Sequence, residues 1–195
     1  MEKKPEKRVI YLGRWKEEAL ADKGAEKRFA WLIQHLTSSQ GVGKKHPTCP
    51  WSEPAIAEGR FFIGDARHFD IDIDSICYIV EDMAKVYKNY APFIPPEKHP
   101  PTLTVLLPYA LSGETIVDVL EIYRPKLTPV GIMLGALDPI NKLRSLTGGV
   151  GYPYQAPWNF FTIRWMVPGD YIFLNLNPVY KDIYIKFFGS WPEDN

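Results

Sequence analysis

The chain has 195 residues, of which 46% are hydrophobic and 14% aromatic, enough to bury a core and too much for a disordered chain. Lysine plus arginine equals aspartate plus glutamate at 23 each, so the formal net charge is zero and neither a nucleic-acid nor an anionic-membrane partner is expected. No apolar run approaches a membrane span or a signal peptide, and Cys49 and Cys77 read as free thiols, so a cytoplasmic, single-domain protein is expected.

Residues 1–13 read as a flexible arm, and residues 14–195 as a single α+β domain that begins with a helical arm. From Arg14 to Ser38 the stripe Phe29, Leu32, Ile33 and Leu36 has helical spacing, with Gly24 interrupting it. A glycine-, lysine- and proline-rich loop follows over 39–51, then a short helical turn from Glu53 to Glu58 closed by Gly59, and a strand at Arg60 to Ile63. Ile73, Ile76, Cys77, Val80, Met83, Ala84 and Tyr87 recur at i, i+3, i+4 and i+7, and Asp72 and Asp74 suit the N-terminal end of that helix. Pro92 to Pro101 excludes helix and central strand. Leu103 to Leu107 reads as a strand buried on both faces. Ser112 caps a helix carrying Ile116, Val117, Leu120 and Tyr123, stopped by Pro125 and Pro129, and Val130 to Leu134 reads as a strand parallel to the previous one. The aperiodic stretch from Ala136 to Trp158 is long enough to suggest a functional loop. Phe160 to Val167 returns as a strand, and Asn177, Pro178 and Gly189 bound a closing helix. The expected fold is α+β (mixed α/β), with helices on a mixed sheet of about four strands.

Few residues carry a recognisable chemistry. Gly41-Val-Gly43-Lys44-Lys45 fails as a phosphate loop, because Ser38 stands where a glycine is needed and a helix, not a strand, precedes it. His46 and Cys49 are two soft ligands where a structural zinc site needs four, so no metal is expected. Cys49, in a loop near Lys44, Lys45 and His46, is either a reactive thiol or part of a proline turn anchored by Trp51. Arg164 lies inside a strand, so its guanidinium must meet water, a carboxylate or a bound anion. Arg144 and Asp170 also flank the long loop. Trp165 reads as core or as the floor of a pocket.

Three segments in order resemble a known family. They are Cys49-Pro50-Trp51 followed by Pro54-Ala55-Ile56; Val130-Gly131-Ile132-Met133-Leu134-Gly135 followed by Asp138-Pro139; and Ile163-Arg164-Trp165-Met166-Val167 followed by Asp170 and Phe173-Leu174. Across residues 45–175 this order resembles an uncharacterised bacterial family, a domain of unknown function often encoded near biosynthetic genes. Its Cys-Pro region is similar to that of small haem-dependent enzymes that hydroxylate guanidine or amine nitrogens, such as arginine N-hydroxylases of natural-product pathways. The chain departs from the pattern at Asp138 and Trp165, where the family has histidines. Tryptophan neither ligates iron nor exchanges a proton near neutral pH, whereas aspartate can still act as a base.

The resemblance implies a small biosynthetic enzyme, an oxidoreductase acting on an amino acid or amine, with haem as the cofactor to test. Asp138 and Cys49 are its expected reactive groups, and Arg144, Arg164, Trp51 and Trp165 its substrate-binding residues. The alternatives are a non-catalytic relative that binds a small molecule or protein partner, and a homodimer joined through Tyr180, Tyr184, Phe187, Phe188 and Trp191.

Overall fold

A computed structural model describes residues 10–14, 22–38, 47–90, 99–142, 152–175 and 177–192. Five strands form one sheet: β1 (Ile10–Arg14), β2 (Phe61–Asp65), β3 (Thr102–Leu106), β4 (Ile132–Leu137) and β5 (Phe160–Trp165), in the order β1-β2-β3-β5-β4. β2 and β3 are parallel, and β1 pairs with β2 antiparallel. β5 runs antiparallel between β3 and β4, which makes those two parallel to each other, as expected, though not neighbours. The sheet is mixed and the fold is α+β. The four expected strands are present. The arm expected over 1–13 is shortened by β1, which pairs along β2 and whose Tyr11 hydroxyl donates to Asp82 Oδ2 at 2.9 Å. That short segment has no periodicity of its own, and its strand character comes from the edge of β2. Residues 1–9 lie outside the described residues.

Among the described residues six helices accompany the sheet: α1 (Lys23–Thr37), α2 (Ser52–Ala57), α3 (Ile73–Tyr90), α4 (Gly113–Leu127), α5 (Tyr171–Leu174) and α6 (Pro178–Phe188). Caps fix where they start. The Asp22 carboxylate accepts from Gly24 N at 2.7 Å and Ala25 N at 3.2 Å, Ser112 Oγ from Thr115 N at 3.1 Å, and Asn177 Oδ1 from Val179 N at 3.0 Å. Pro125 does not stop α4; it lies in the last turn, where the helix loses one backbone bond and still reaches Leu127. Val117, expected on the buried stripe, is exposed, and Val119 is buried instead.

Strand alternation sends side chains to two unlike faces. On one, α3 and α4 pack Ile76, Ile79, Val80, Met83, Ile116 and Val119 against Leu103, Val105, Ile132, Leu134, Phe161 and Ile163. On the other, α1 packs Ala25, Phe29, Leu32 and Leu36 against Phe61, Ile63, Leu106 and Phe160. A separate cluster at one side of that second face joins Met133 and Met166 to α5 and α6. Tyr184, Phe187, Phe188 and Trp191 find their burial there, within the chain. The Phe187 ring sits where a Cβ on Gly131 would be, at 2.8 Å, and Gly131 has φ of 78°.

Candidate functional site

Between the α1 cluster and the α6 cluster the second sheet face is polar. Thr104 stands opposite Thr162 and Thr162 opposite Gly135; in the next row Thr102 stands opposite Arg164 and Arg164 opposite Met133. Within β4 and β5 the partly exposed positions Met133, Gly135, Thr162 and Arg164 share this face, and Trp165, the other such position, faces away. No described atom lies within 4 Å of where a Cβ on Gly135 would sit. The result is a cleft floored by strands, with the Thr104 and Thr162 hydroxyls hydrogen-bonded to each other at 2.9 Å.

Arg164 borders this floor. Its Nη1 donates to Asp170 Oδ2 at 2.7 Å and to the Trp165 carbonyl at 3.0 Å, and its Nη2 donates to Asp170 Oδ1 at 2.6 Å. Asp170, 1% exposed, also accepts from Val167 N at 2.8 Å. The tight turn Pro168–Asp170 after β5 brings the carboxylate back over the strand it has just left. Burial works against the charge of Arg164, but Asp170 outweighs it and holds the guanidinium pKa above the ordinary arginine value. The structural ion pair weighed for Arg164 in the sequence is therefore present, with Asp170 as its partner.

Cys49 comes to the same place from the other side. Its N–H donates to the Leu36 carbonyl at the end of α1, its carbonyl accepts from Ser52 N at the start of α2, and its side chain packs on the α1 cluster. The thiol lies within electrostatic reach of both Arg164 and Tyr154. Burial pushes the Tyr154 phenol up to about 12, with Cys49 adding to the shift, so Tyr154 is a neutral hydrogen-bond donor at neutral pH. Trp51 covers the turn behind Asp170, its ring 3.7 Å from where a Cβ on Gly169 would be.

The expected site residues thus divide. Cys49, Trp51 and Arg164 share the cleft side of the sheet. Trp165 points to the opposite face, packed on Tyr87 with ring centroids 5.5 Å apart, and its backbone N–H donates to the Tyr87 hydroxyl at 2.8 Å. Asp138 lies past the end of β4 beside Gly113 of α4, where its carboxylate accepts from Ile140 N and Asn141 Nδ2, both at 3.0 Å. Those bonds make it the anchor of a turn. Arg144 and His46 lie outside the described residues. The other histidines are placed elsewhere: His35 Nε2 donates to the Pro153 carbonyl at 2.6 Å, His99 pairs with Glu58 at 3.1 Å, and His68 is exposed. No group of three metal-ligating side chains occurs among the described residues. No helix among them is long and apolar enough to cross a membrane. Tyr154, Thr104 and Thr162 escaped the sequence reading, and Gly135 entered it only as part of a resembled segment. The threonines carried a signal, since Thr102 and Thr104, like Thr162 and Arg164, alternate with apolar neighbours at strand period.

Fold and site together define an α+β protein with a polar cleft on one face of a five-stranded mixed sheet. The chain belongs to the family described as a domain of unknown function (DUF6875), whose model matches residues 25–195, in agreement with the resemblance to an uncharacterised family. No curated protein and no solved structure matches the chain.

Proposed function

We propose that the protein is a small biosynthetic enzyme that binds an amino acid or amine in the cleft above Gly135 and Thr162 and acts on it as an oxidoreductase. The observation that carries the reading is the convergence of Cys49, Tyr154 and the Arg164–Asp170 pair beside the open space above Gly135. Clefts with a few convergent polar groups on an otherwise apolar frame are the usual setting for small-molecule sites. The oxidoreductase assignment rests on the resemblance to haem-dependent N-hydroxylases.

Of the residues at the cleft, Cys49 fits a haem in one respect: a cysteine thiolate is an established axial ligand, and Cys49 is a free cysteine. A haem held there would supply oxygen activation. The chain's own groups would orient the substrate: Tyr154 as a neutral donor, and Arg164 fixed in place by Asp170. Free thiols at Cys49 and Cys77 suit a reducing, cytoplasmic setting.

A second reading is a binding protein without turnover. It is favoured by Asp138, whose two oxygens are both engaged in its own turn. The test is an absorption spectrum of the purified protein before and after adding haem, run beside a thermal-shift screen of amino acids and amines. A stoichiometric Soret band together with ligand-dependent stabilisation would support the enzyme. Stabilisation without a band or turnover would support the binding protein, and neither signal would remove both.

A further inference from the structure

We infer that the cleft selects the acid end of its ligand, so that its substrate class is an amino acid or other small carboxylate and not a simple amine. This rests on the cleft being the ligand site, as proposed above. The hydrogen-bonding capacity left over at each polar group decides which end of a ligand fits.

Asp170 is a carboxylate at the cleft, 1% exposed and with three of its about four acceptor sites taken. Oδ1 accepts from Arg164 Nη2, and Oδ2 accepts from both Arg164 Nη1 and Val167 N. A ligand ammonium entering here would have to displace Arg164 from a buried, bidentate pair. Arg164 is only partly spent. Nη1 has two acceptors and Nη2 has one, which leaves the Nε–H and the second Nη2 hydrogen without a partner among the described residues. Its side chain is 13% exposed, on the same face as Thr162 and Gly135. Asp170 therefore turns Arg164 so that one edge is held and another is offered.

A second group can also donate. The Tyr154 hydroxyl has no hydrogen bond to any described residue, and it keeps its proton at neutral pH. The cleft accordingly offers N–H and O–H groups and withholds its carboxylate, which suits a ligand carboxylate better than a cation.

Cys49 makes this testable without a known substrate. Iodoacetate and iodoacetamide alkylate the same thiol and differ in carrying a carboxylate or a neutral amide. The rate ratio of iodoacetate to iodoacetamide is measured at Cys49 in the folded protein by peptide mass spectrometry, with Cys49 of the urea-unfolded chain as reference. Folding is expected to raise the ratio ~tenfold, the worth of one charge-assisted hydrogen bond, and Tyr154→Phe to lower it again. Thr162→Val, a near-isosteric change on the cleft floor, gives a second variant should Tyr154→Phe not fold. A ratio equal to or below the unfolded value would overturn the acid selection while leaving an open cleft. Failure of both reagents to reach Cys49 in the folded protein would overturn the inference together with the cleft on which it rests.

Discussion

Replacing Asp170 with asparagine keeps the volume of the side chain and removes its charge, which isolates the ion pair from packing. The wild-type carboxylate is 1% exposed and accepts three hydrogen bonds, two from Arg164 at 2.7 and 2.6 Å and one from Val167 N at 2.8 Å. Asparagine can accept through one oxygen only, and its amide would face the guanidinium donor to donor. The positive charge of Arg164 would remain on a side chain 13% exposed, with no counter-charge at hand. Breaking a buried pair in this way costs about 3–5 kcal/mol. With a urea m-value of about 2 kcal/mol/M, the unfolding midpoint should fall by about 1.5–2.5 M at unchanged slope. Arg164→Met combined with Asp170→Leu should be less destabilised than Asp170→Asn alone, because no charge is then stranded. A midpoint within about 0.3 M of wild type for Asp170→Asn would refute the reasoning, since the pair would then be screened and dispensable.

Two glycines, Gly131 in the turn before β4 and Gly135 within it, should answer differently to alanine. Gly131→Ala meets both a φ of 78° and the Phe187 ring at 2.8 Å, and should cost about 2 kcal/mol or more in thermal or urea unfolding, whereas Gly135→Ala meets no described atom and should stay within about 0.5 kcal/mol. Tyr154 titrates at about 12 in the folded chain against 10.0 otherwise, so its contribution is fully present below pH 10 and is lost as pH rises through about 12. Alkaline unfolding followed by circular dichroism should therefore start at higher pH in Tyr154→Phe. At the acid end, the Arg67 hydrogen bond and the Ala25 and Gly24 amides hold Asp22 at about 2 against 3.8. That contribution is present above 3.8 and is lost as pH falls through about 2, so Asp22→Asn should flatten this part of the acid titration of helicity.

Helices were the most legible part of the sequence because their signals are local. Asn177, Pro178 and Gly189 marked both ends of α6, and Ser112 the start of α4, through bonds made within four residues. β1 was not legible, since nothing in Ile10–Arg14 announces a strand until the edge of β2 is beside it. The cleft was half legible. Arg164 in a strand demanded a partner, and Asp170 was near in sequence, so the ion pair could be weighed from the sequence. What brings Cys49 and Tyr154 to that pair is the insertion of β5 between β3 and β4 and the docking of α1, neither of which is written in any short segment. Reading Leu103 to Leu107 as apolar throughout also passed over Thr104, which with Thr162 makes the polar row.

The positions at which the chain departs from the resembled pattern gain a different meaning once the faces of the sheet are assigned. Asp138 and Trp165 stand where histidines are expected, and read from sequence alone their presence weakens the case for chemistry. Trp165 alternates with Arg164, however, so it faces α3 and packs on Tyr87, while Arg164 faces the cleft. Asp138 closes a turn against the N-terminal end of α4, on the same side as Trp165. A histidine at either position, in this backbone, would sit across the sheet from Cys49 and Tyr154 or at its edge. The two departures therefore bear on how α3 and α4 are seated, and they remove nothing from the cleft. What the cleft can do is decided by Cys49, Tyr154, Arg164 and the threonine row, and of these Cys49 and Arg164 belong to the segments that carry the resemblance.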